Sequence, residues 1–330
     1  MSETHDGNRP PSEGDACTNG LPIELVNLRK EYGGFVAVDD LTLQIKKNSF
    51  TGLLGPNGAG KSTSLKILTN LTTATGGEAY INGCDVAADP KGALSGVGTV
   101  VETPEFYLYL TPNETFKYVG EILGMSPESI QSQTADILDK VKMADWADKR
   151  LGTFSKGMRQ RISLGIALLN DPTVIVLDEP TSGLDPRGMA ETREILKNIR
   201  NDNNDLTVLM SSHLMHEVAD LCDRVALINR GKLVMHDDME SFVEGSDVRT
   251  LVVKTIEAPL EDVVASISGL PHVRSAVRSG NEVAVKVEGD KPQAVEFIRA
   301  LAKTDLNVYS VAESGNALEN RYLELVAESR

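Results

Sequence analysis

The sequence contains few cysteines, and their spacing offers no metal site. The three cysteines, Cys17, Cys84 and Cys222, are odd in number and widely separated, with no CxxC pair and no Cys/His cluster. This pattern argues against a structural zinc site and favours a reducing compartment.

Long apolar runs are also missing. Crossing a bilayer takes about 20 consecutive apolar residues, and the best candidate, residues 162–177, is interrupted by Asn170, Asp171 and Pro172. Residues 1–20 are polar and lack the apolar core of a signal peptide. We therefore expect residues 1–20 to form a disordered tail and no segment to cross a membrane, so that any work at a membrane would need a separate partner chain.

Basic residues are fewer than acidic ones. The 330 residues include 33 Lys and Arg against 48 Asp and Glu, which gives a net charge of −15. Such an acidic chain repels phosphate backbones, so we expect no nucleic-acid partner. The length and the 41% hydrophobic content are enough for about two domains.

The order of apolar runs predicts an α/β domain over residues 21–240. Residues 23–49 hold short β-like runs between polar turns, a pattern typical of an antiparallel margin. From residue 50 onward, apolar strands alternate with helices, as a parallel sheet requires. Residues 102–153 have mainly helical patterns between proline breakers, which predicts a helical insertion.

The order of apolar runs in residues 247–330 predicts a second, smaller domain. Its order is β-α-β-β-α-β with a final helix over residues 317–328, which is the order of a small α+β, ferredoxin-like domain. It holds no catalytic constellation. We expect a dimer-stabilising or regulatory role, with a ligand sensor as the alternative.

A glycine-rich loop follows the apolar strand at residues 50–54. It fits the P-loop pattern GxxxxGK[ST], in which backbone N–H groups surround phosphates while glycines allow close approach. We expect Lys61 to bind the β- and γ-phosphates and Ser62 to place its hydroxyl on Mg²⁺. The predicted nucleotide-binding loop consists of Gly55, Pro56, Asn57, Gly58, Ala59, Gly60, Lys61, Ser62 and Thr63.

Two acids end a second apolar strand, at residues 173–177. Asp178 can hold Mg²⁺ through water, and Glu179 can accept a proton from an attacking water. In isolation such a pair is more often a helix cap or a solvated turn. Because a phosphate loop lies upstream, the pair instead predicts ATP hydrolysis, with Glu179 and Lys61 among the catalytic residues.

Further motifs resemble those of the ATP-binding cassette (ABC) ATPases. Residues 154–161, with the sequence FSKGMRQR, resemble the signature motif of this family, and residues 182–185 resemble its D-loop. His213 resembles its switch histidine, and Tyr32 resembles the aromatic residue that stacks on adenine. The motifs occur in the family's order over about residues 23–238, and they imply a P-loop NTPase fold with ATP and Mg²⁺ as cofactors.

The resemblance also implies partners and a location. In this family two cassettes sandwich two ATP molecules, so Ser155 and Gly157 would donate hydrogen bonds to a γ-phosphate across a dimer interface. Asp185 would bind the nucleotide at the same interface, and His213 would act as a catalytic sensor of the γ-phosphate. The partners would be a second ATPase subunit, identical or different, and transmembrane permease subunits. The chain would be cytoplasmic and peripheral on the inner face of the cell membrane.

Two positions depart from the family pattern. Lys156 precedes Gly157 where the family usually has Gly-Gly, and Glu102 stands where it usually has a glutamine that binds Mg²⁺. Glu102 would add negative charge near the phosphates, and it would either bind the metal more strongly or swing away. The alternative is a solvated loop acid. The Ser-Lys-Gly-Met sequence and residues 102–107 resemble drug-export ATPases of the bacitracin-resistance type, which implies export rather than import.

Aromatic residues cluster in the same stretch of the chain. Phe106, Tyr107 and Tyr109 predict either packing of the helical insertion or a groove that receives a short helix of the permease. At the other end of the chain, residues 318–325 resemble the tail helix of exporter cassettes, with their apolar side chains on one helical face.

Cassettes that do not transport are the main alternative. A translation-type protein would carry two cassettes and a basic segment, whereas this acidic chain carries one set of motifs. A chromosome-type protein would insert long coiled coils between Lys61 and Ser155, but only about 90 residues lie there, without sustained heptads. A catalytically inactive ATP-binding switch is disfavoured because the loop lysine, the acid pair and the switch histidine are all present.

Overall fold

The computed structural model describes residues 20–102, 105–202, 205–244, 248–256, 260–280, 282–289 and 291–313, together with Tyr322 and Leu325. The tail predicted over residues 1–20 lies outside this part except for its last residue. Most of the predicted final helix lies outside it as well.

The described part contains strands and helices in the following order. The strands are β1 (Ile23–Tyr32), β2 (Phe35–Ile45), β3 (Phe50–Leu54), β4 (Gly76–Ile81), β5 (Cys84–Asp85), β6 (Val97–Val100), β7 (Val174–Asp178), β8 (Thr207–Ser212), β9 (Arg224–Asn229), β10 (Lys232–Asp238), β11 (Val248–Thr255), β12 (Val273–Ser279), β13 (Glu282–Glu288) and β14 (Val308–Glu313). The helices are α1 (Lys61–Leu68), α2 (Pro90–Ala93), α3 (Pro112–Ile122), α4 (Pro127–Lys140), α5 (Lys156–Leu168), α6 (Pro186–Asp202), α7 (Met215–Leu221), α8 (Met239–Glu244), α9 (Leu260–Ser268) and α10 (Lys291–Leu301).

A six-stranded sheet forms the centre of the first domain, with the order β10-β9-β3-β8-β7-β6. All neighbouring pairs are parallel except β10 with β9. The middle strands are buried along almost their whole length, as continuous apolar runs require. The predicted parallel sheet is confirmed, and it brings the carboxyl ends of β3, β7 and β8 to one edge.

A second sheet has the order β2-β1-β4-β5 and is antiparallel throughout, which confirms the predicted antiparallel margin. Alternate side chains of the central strands face two apolar cores. Ile175 and Leu177 of β7 join one core, which also contains Phe116 of α3 and the apolar faces of α4 to α6. Val176 joins the other core, between the central and antiparallel sheets.

Residues 102–153 contain α3 and α4, as the helical patterns predict. Thr111 and Glu114 close a capping box at the start of α3, and Ser126 caps α4 through the backbone N–H of Ser129. Phe116 is fully buried, so the segment is packed on the first core.

The C-terminal elements form a third sheet with the order β12-β13-β11-β14, all antiparallel. Together with α9 and α10, this confirms the ferredoxin-like order. Val253, Val285 and Phe297 are fully buried in its own core. Tyr322 and Leu325 pack instead against the first core of the cassette, so the chain returns to the first domain after β14.

Cys222 is free and buried, and burial raises the pKa of its thiol well above the ordinary value. None of the helices in the described ranges is both long and apolar enough to span a bilayer.

Candidate nucleotide-binding and catalytic site

The predicted phosphate loop connects β3 to α1. Gly58 and Gly60 have φ angles of 79° and 102°, a left-handed conformation that glycine adopts without strain. A Cβ atom on Gly60 would also lie 2.5 Å from the carbonyl oxygen of Ala37. The loop and Glu179 line one open cavity, whose walls are formed by Phe35, Ala37, Asn57, Gly58, Ala59, Gly60, Lys61, Ser62, Thr63 and Glu179.

Lys61 is the buried cation of this cavity. Its side chain donates hydrogen bonds to the carbonyl oxygens of Gly55 at 2.8 Å and Pro56 at 3.1 Å, and the Glu179 carboxylate lies 4.0 Å away. Burial lowers the pKa of Lys61, while Glu179 and Asp178 act in the opposite direction. The ammonium group of Lys61 therefore lies between the carbonyl oxygens of the loop and the acid pair of Asp178 and Glu179.

Asp178 ends β7 and accepts two hydroxyl hydrogen bonds. Ser62 donates to its Oδ1 at 3.0 Å, and Ser211 donates to the same oxygen at 2.5 Å. Ser211 lies there because it is the register partner of Asp178 on the parallel strand β8. Ser211 was not predicted from the sequence.

The donor set at Asp178 suits a hard cation. Carboxylate and hydroxyl oxygens are ligands that Mg²⁺ accepts, and Mg²⁺ is usually held by one or two carboxylates together with substrate phosphates. Within the described ranges, no group of three His, Cys, Asp or Glu side chains could hold a metal ion. A metal at Ser62 and Asp178 would therefore need ligands from the nucleotide.

Glu179 lies within reach of two other predicted site residues. Its carboxylate is 3.1 Å from Nδ1 of His213 and 4.0 Å from Lys61, and its backbone N–H donates to Ser211 Oγ at 2.9 Å. Its φ of 44° is an uncommon, left-handed value for a non-glycine residue, and such residues cluster at functional sites. The structure thus brings Lys61, Glu179 and His213 together.

A buried acid supports the segment that follows Glu179. Glu217 of α7 is 2% exposed and accepts hydrogen bonds from Thr181 at 2.5 Å and Ser212 at 2.8 Å. These two hydrogen bonds connect the segment after Glu179 to the end of β8 and to α7. No sequence pattern singled out Glu217.

The signature residues lie at a second cavity, lined in part by Ser155, Gly157 and Asp185. Ser155 caps α5 by accepting a hydrogen bond from the Met158 N–H at 3.2 Å, so its position at a helix start is as predicted. Asp185 accepts from the N–H of Gly188 at 3.0 Å. Neither of these two cavities contains both the phosphate loop and the signature residues.

Lys156 connects the signature helix to the D-loop. Its ammonium group donates to the carbonyl oxygen of Ser182 at 3.1 Å. The lysine that departs from the family pattern therefore ties together two of the predicted interface motifs.

The aromatic side chain at the phosphate-loop cavity is Phe35, which is 64% exposed. Tyr32 lies opposite Phe35 in the β1–β2 hairpin, and its ring contacts the Lys30 ammonium group at 4.8 Å. Tyr32 is the residue predicted from the sequence for adenine stacking, and Phe35, three residues further along the chain, is a second aromatic candidate that was not predicted.

Glu102 forms an ion pair with Lys66 of α1. It also lines a groove with Phe106 and Ile166, and Phe106 packs against the first core. Pro104, which contributed to the resemblance with drug-export ATPases, lies outside the described residues. The structure therefore pairs Glu102 with a lysine of the helix that begins at the phosphate loop.

Comparison with known proteins shows which family the chain belongs to. The family described as "ABC transporter" matches residues 38–182. The uncharacterised ABC transporter ATP-binding protein YhcH of Bacillus subtilis (strain 168) is 32% identical over 309 residues, covering 93% of this chain and 97% of YhcH. The bacitracin transport ATP-binding protein BcrA of Bacillus licheniformis is 36% identical over 212 residues, covering 64% of this chain and 68% of BcrA.

The fold has counterparts among solved structures. One is a dimeric post-hydrolysis state of an ATP-binding cassette with bound ADP and phosphate, which is 24% identical. It covers 66% of this chain and 98% of the cassette, with a TM-score of 0.59. This likeness concerns the fold, while the relatives that match along nearly the whole chain establish the family. The chain belongs to the ABC transporter family as an ATP-binding, ATP-hydrolysing subunit.

Proposed function

We propose that the chain powers export of an antimicrobial compound through separate permease subunits, from the inner face of the cell membrane. The bacitracin transport protein BcrA is 36% identical over the matched region, and residues 102–107 share the pattern typical of drug-export ATPases. The single observation that carries the catalytic part is the contact of Glu179 with both His213 and Lys61.

ATP binds with its phosphates in the phosphate loop. Lys61 exchanges its bonds to the carbonyls of Gly55 and Pro56 for the β- and γ-phosphates, since a buried ammonium group gains more from charged oxygens than from neutral ones. Ser62 and Asp178 would hold Mg²⁺, which supplies charge stabilisation to the phosphates when it is bound. Ser211 keeps the Asp178 carboxylate oriented towards Ser62.

Glu179 acts as the general base. Its carboxylate accepts a proton from the water that attacks the γ-phosphate. His213, 3.1 Å from the Glu179 carboxylate, orients that carboxylate. The hydrogen bond from the Glu179 N–H to Ser211 fixes the backbone from which both acids project.

A complete site needs two chains. In one chain the phosphate loop and the signature residues line separate cavities, so Ser155 and Gly157 serve the nucleotide of a second subunit. Asp185 lies beside them and belongs to the same interface. Both subunits then close around two ATP molecules.

The groove beside Glu102 receives the permease. It is lined by Leu71, Glu105, Phe106 and Ile166 as well as Glu102, a mixture of apolar and acidic side chains that suits a short amphipathic helix with basic residues. The C-terminal residues 247–330 form a separate accessory domain in this proposal, with a role at the dimer.

The test is phosphate release by the purified full chain with Mg-ATP, compared between wild type and Glu179→Gln. We expect the variant to lose hydrolysis by roughly 100-fold or more, because removal of a general base costs about 10²–10⁴-fold. Size exclusion should show an ATP-dependent dimer that persists in Glu179→Gln.

Glu121→Gln is a matched control, because Glu121 is an exposed acid on α3 paired with Lys117 and lines neither the phosphate-loop cavity nor the cavity of the signature residues. It should hydrolyse ATP like wild type. Undiminished turnover in Glu179→Gln would contradict the assignment of the base.

A further inference from the structure

Glu217 lies between the two strand ends that carry the catalytic side chains. Its Oε1 accepts a hydrogen bond from Thr181 at 2.5 Å, and its Oε2 accepts one from Ser212 at 2.8 Å. Thr181 follows Glu179 by two residues. Ser212 ends β8 and directly precedes His213. The two oxygens of one carboxylate therefore join the segment of Glu179 to the segment of His213.

The bond from Ser212 has a fixed direction. The Ser212 hydroxyl accepts a hydrogen bond from the N–H of Leu214 at 3.0 Å, so its own proton is available for Glu217. Ser212 and Leu214 are the two chain neighbours of His213. The bonds from Leu214 through Ser212 to Glu217 therefore hold the backbone on both sides of the histidine.

The bond from Thr181 supports the backbone of Glu179. The N–H of Ser182 donates to the carbonyl oxygen of Glu179 at 3.0 Å, which closes a turn that contains Thr181. Glu179 has a φ of 44°, a conformation that costs free energy and persists only where the surroundings support it. The bond to Glu217 is such a support, because it connects the middle of this turn to α7.

Burial makes the Glu217 carboxylate costly. Glu217, Thr181 and Ser212 are each 2% exposed, and an ionised acid loses its hydration at such a place. An acid that only interacted with the dipole of α7 could stay exposed. A carboxylate accepts hydrogen bonds at both of its oxygens, whereas the amide of glutamine accepts at one end and donates at the other. The burial of an acid here therefore indicates that two acceptors are needed at once.

We propose that Glu217 is a positioning residue that holds His213 against the Glu179 carboxylate. It lies outside the phosphate-loop cavity and acts, through Thr181 and Ser212, on the 3.1 Å contact between His213 Nδ1 and Glu179. The proposal rests on Glu179 as the base and His213 as its partner, as proposed above. Loss of either bond to Glu217 therefore slows hydrolysis and leaves ATP affinity unchanged.

The first test measures kcat and the KM for ATP in the purified full chain. Thr181→Val and Ser212→Ala each remove one bond to Glu217 and should lower kcat about tenfold, since a misplaced catalytic group costs up to about 100-fold. The KM for ATP should keep its wild-type value. Thr134→Val is the matched control, because it removes a buried hydroxyl of α4 that donates to the carbonyl oxygen of Ile130, and it should change neither quantity.

The second test separates positioning from stability. Glu217→Gln keeps one acceptor, so it should retain more turnover than Glu217→Ala, which keeps none. Adding Thr181→Val to Glu217→Ala should lower kcat no further, because the bond is already lost. Circular dichroism in urea shows which variants are folded under the assay conditions. If Glu217→Ala is unfolded, the comparison of Thr181→Val with Thr134→Val decides.

Wild-type kcat in both Thr181→Val and Ser212→Ala would overturn the proposal, and so would a raised KM with unchanged kcat. Equal losses of kcat in Thr181→Val and Thr134→Val would also overturn it, because they would show a general effect of a lost buried hydroxyl. Undiminished hydrolysis by Glu179→Gln would contradict the proposed base itself. That failure is recognised separately, since Glu179→Gln leaves both bonds of Glu217 in place.

Discussion

Ser211 shows how one side chain organises the catalytic edge of the sheet. Its hydroxyl donates to Asp178 and accepts from the N–H of Glu179, so one residue orients both acids. The acid pair was predictable because it ends an apolar strand. Ser211 was not predicted because its role depends on which strand lies next to β7, and strand order is a tertiary property.

Phe35 and Tyr32 are the two candidates for stacking on the adenine ring of ATP. Because Phe35 lines the phosphate-loop cavity, we expect Phe35→Ala to weaken ATP binding by about 1–3 kcal/mol, the usual worth of a base stacked on an aromatic ring. Tyr32→Ala should have a smaller effect. Titration with a fluorescent ATP analogue measures both.

Phe35→Tyr keeps the ring and should bind ATP like wild type. A large loss of affinity in Tyr32→Ala, with none in Phe35→Ala, would reverse the assignment and restore the residue named from the sequence.

Among the elements, the strongly patterned ones were predictable. The strand-loop-helix of residues 50–68, the buried strands β7 and β8, and the β-α-β-β-α-β order all follow from apolar periodicity and turn residues. The strands β4, β5, β6 and β10 were not predicted. β6 has only four residues, one of them a glycine, so neither length nor alternation distinguishes it from a loop.

Gly98 explains how β6 fits into the sheet. A Cβ atom on Gly98 would lie 1.8 Å from the carbonyl oxygen of Ala167 on α5, so the helix backbone approaches the strand more closely than any side chain allows. We expect Gly98→Ala to destabilise the cassette by about 1–3 kcal/mol or more, as overpacking does. Urea unfolding followed by circular dichroism measures the change.

Gly124→Ala separates the steric effect from that of backbone conformation. Gly124 has a φ of 74° and open space around its Cβ position, so its replacement should cost only about 1 kcal/mol. Equal midpoints for Gly98→Ala and wild type would show that α5 does not press on β6.

At the scale of the whole molecule, the proposed two-chain site divides the motifs of one chain between two half-sites. The phosphate loop, Glu179 and His213 form one half, while Ser155, Gly157 and Asp185 form the other. The motifs identify both halves from the sequence. The resemblance to the ABC ATPases already implied that Ser155 and Gly157 serve a nucleotide across a dimer interface, whereas the spacing of the motifs alone does not show which of them line one cavity.

The C-terminal part contacts the cassette through side chains near the end of the chain. Its sheet has its own core, yet Tyr322 and Leu325 pack against the core of the first domain. The apolar face of residues 318–325 was recognisable from the sequence, but its binding partner was not.

The most direct test of the two-chain site mixes two inactive variants. Lys61→Ala disables the phosphate-loop half, and Gly157→Asp places a negative charge in the signature half. A Cβ on Gly157 meets no atom closer than 3.7 Å, so the fold should tolerate this change. Each mixed dimer then keeps one intact site, formed by the phosphate loop of one chain and the signature residues of the other.

Phosphate release is measured for each variant alone and for an equimolar mixture. Each variant alone should be inactive, and the mixture should recover up to about one quarter of the wild-type rate, because half of the dimers are mixed and each has one working site of two. A mixture that stays inactive, while both chains fold and form dimers, would contradict the account.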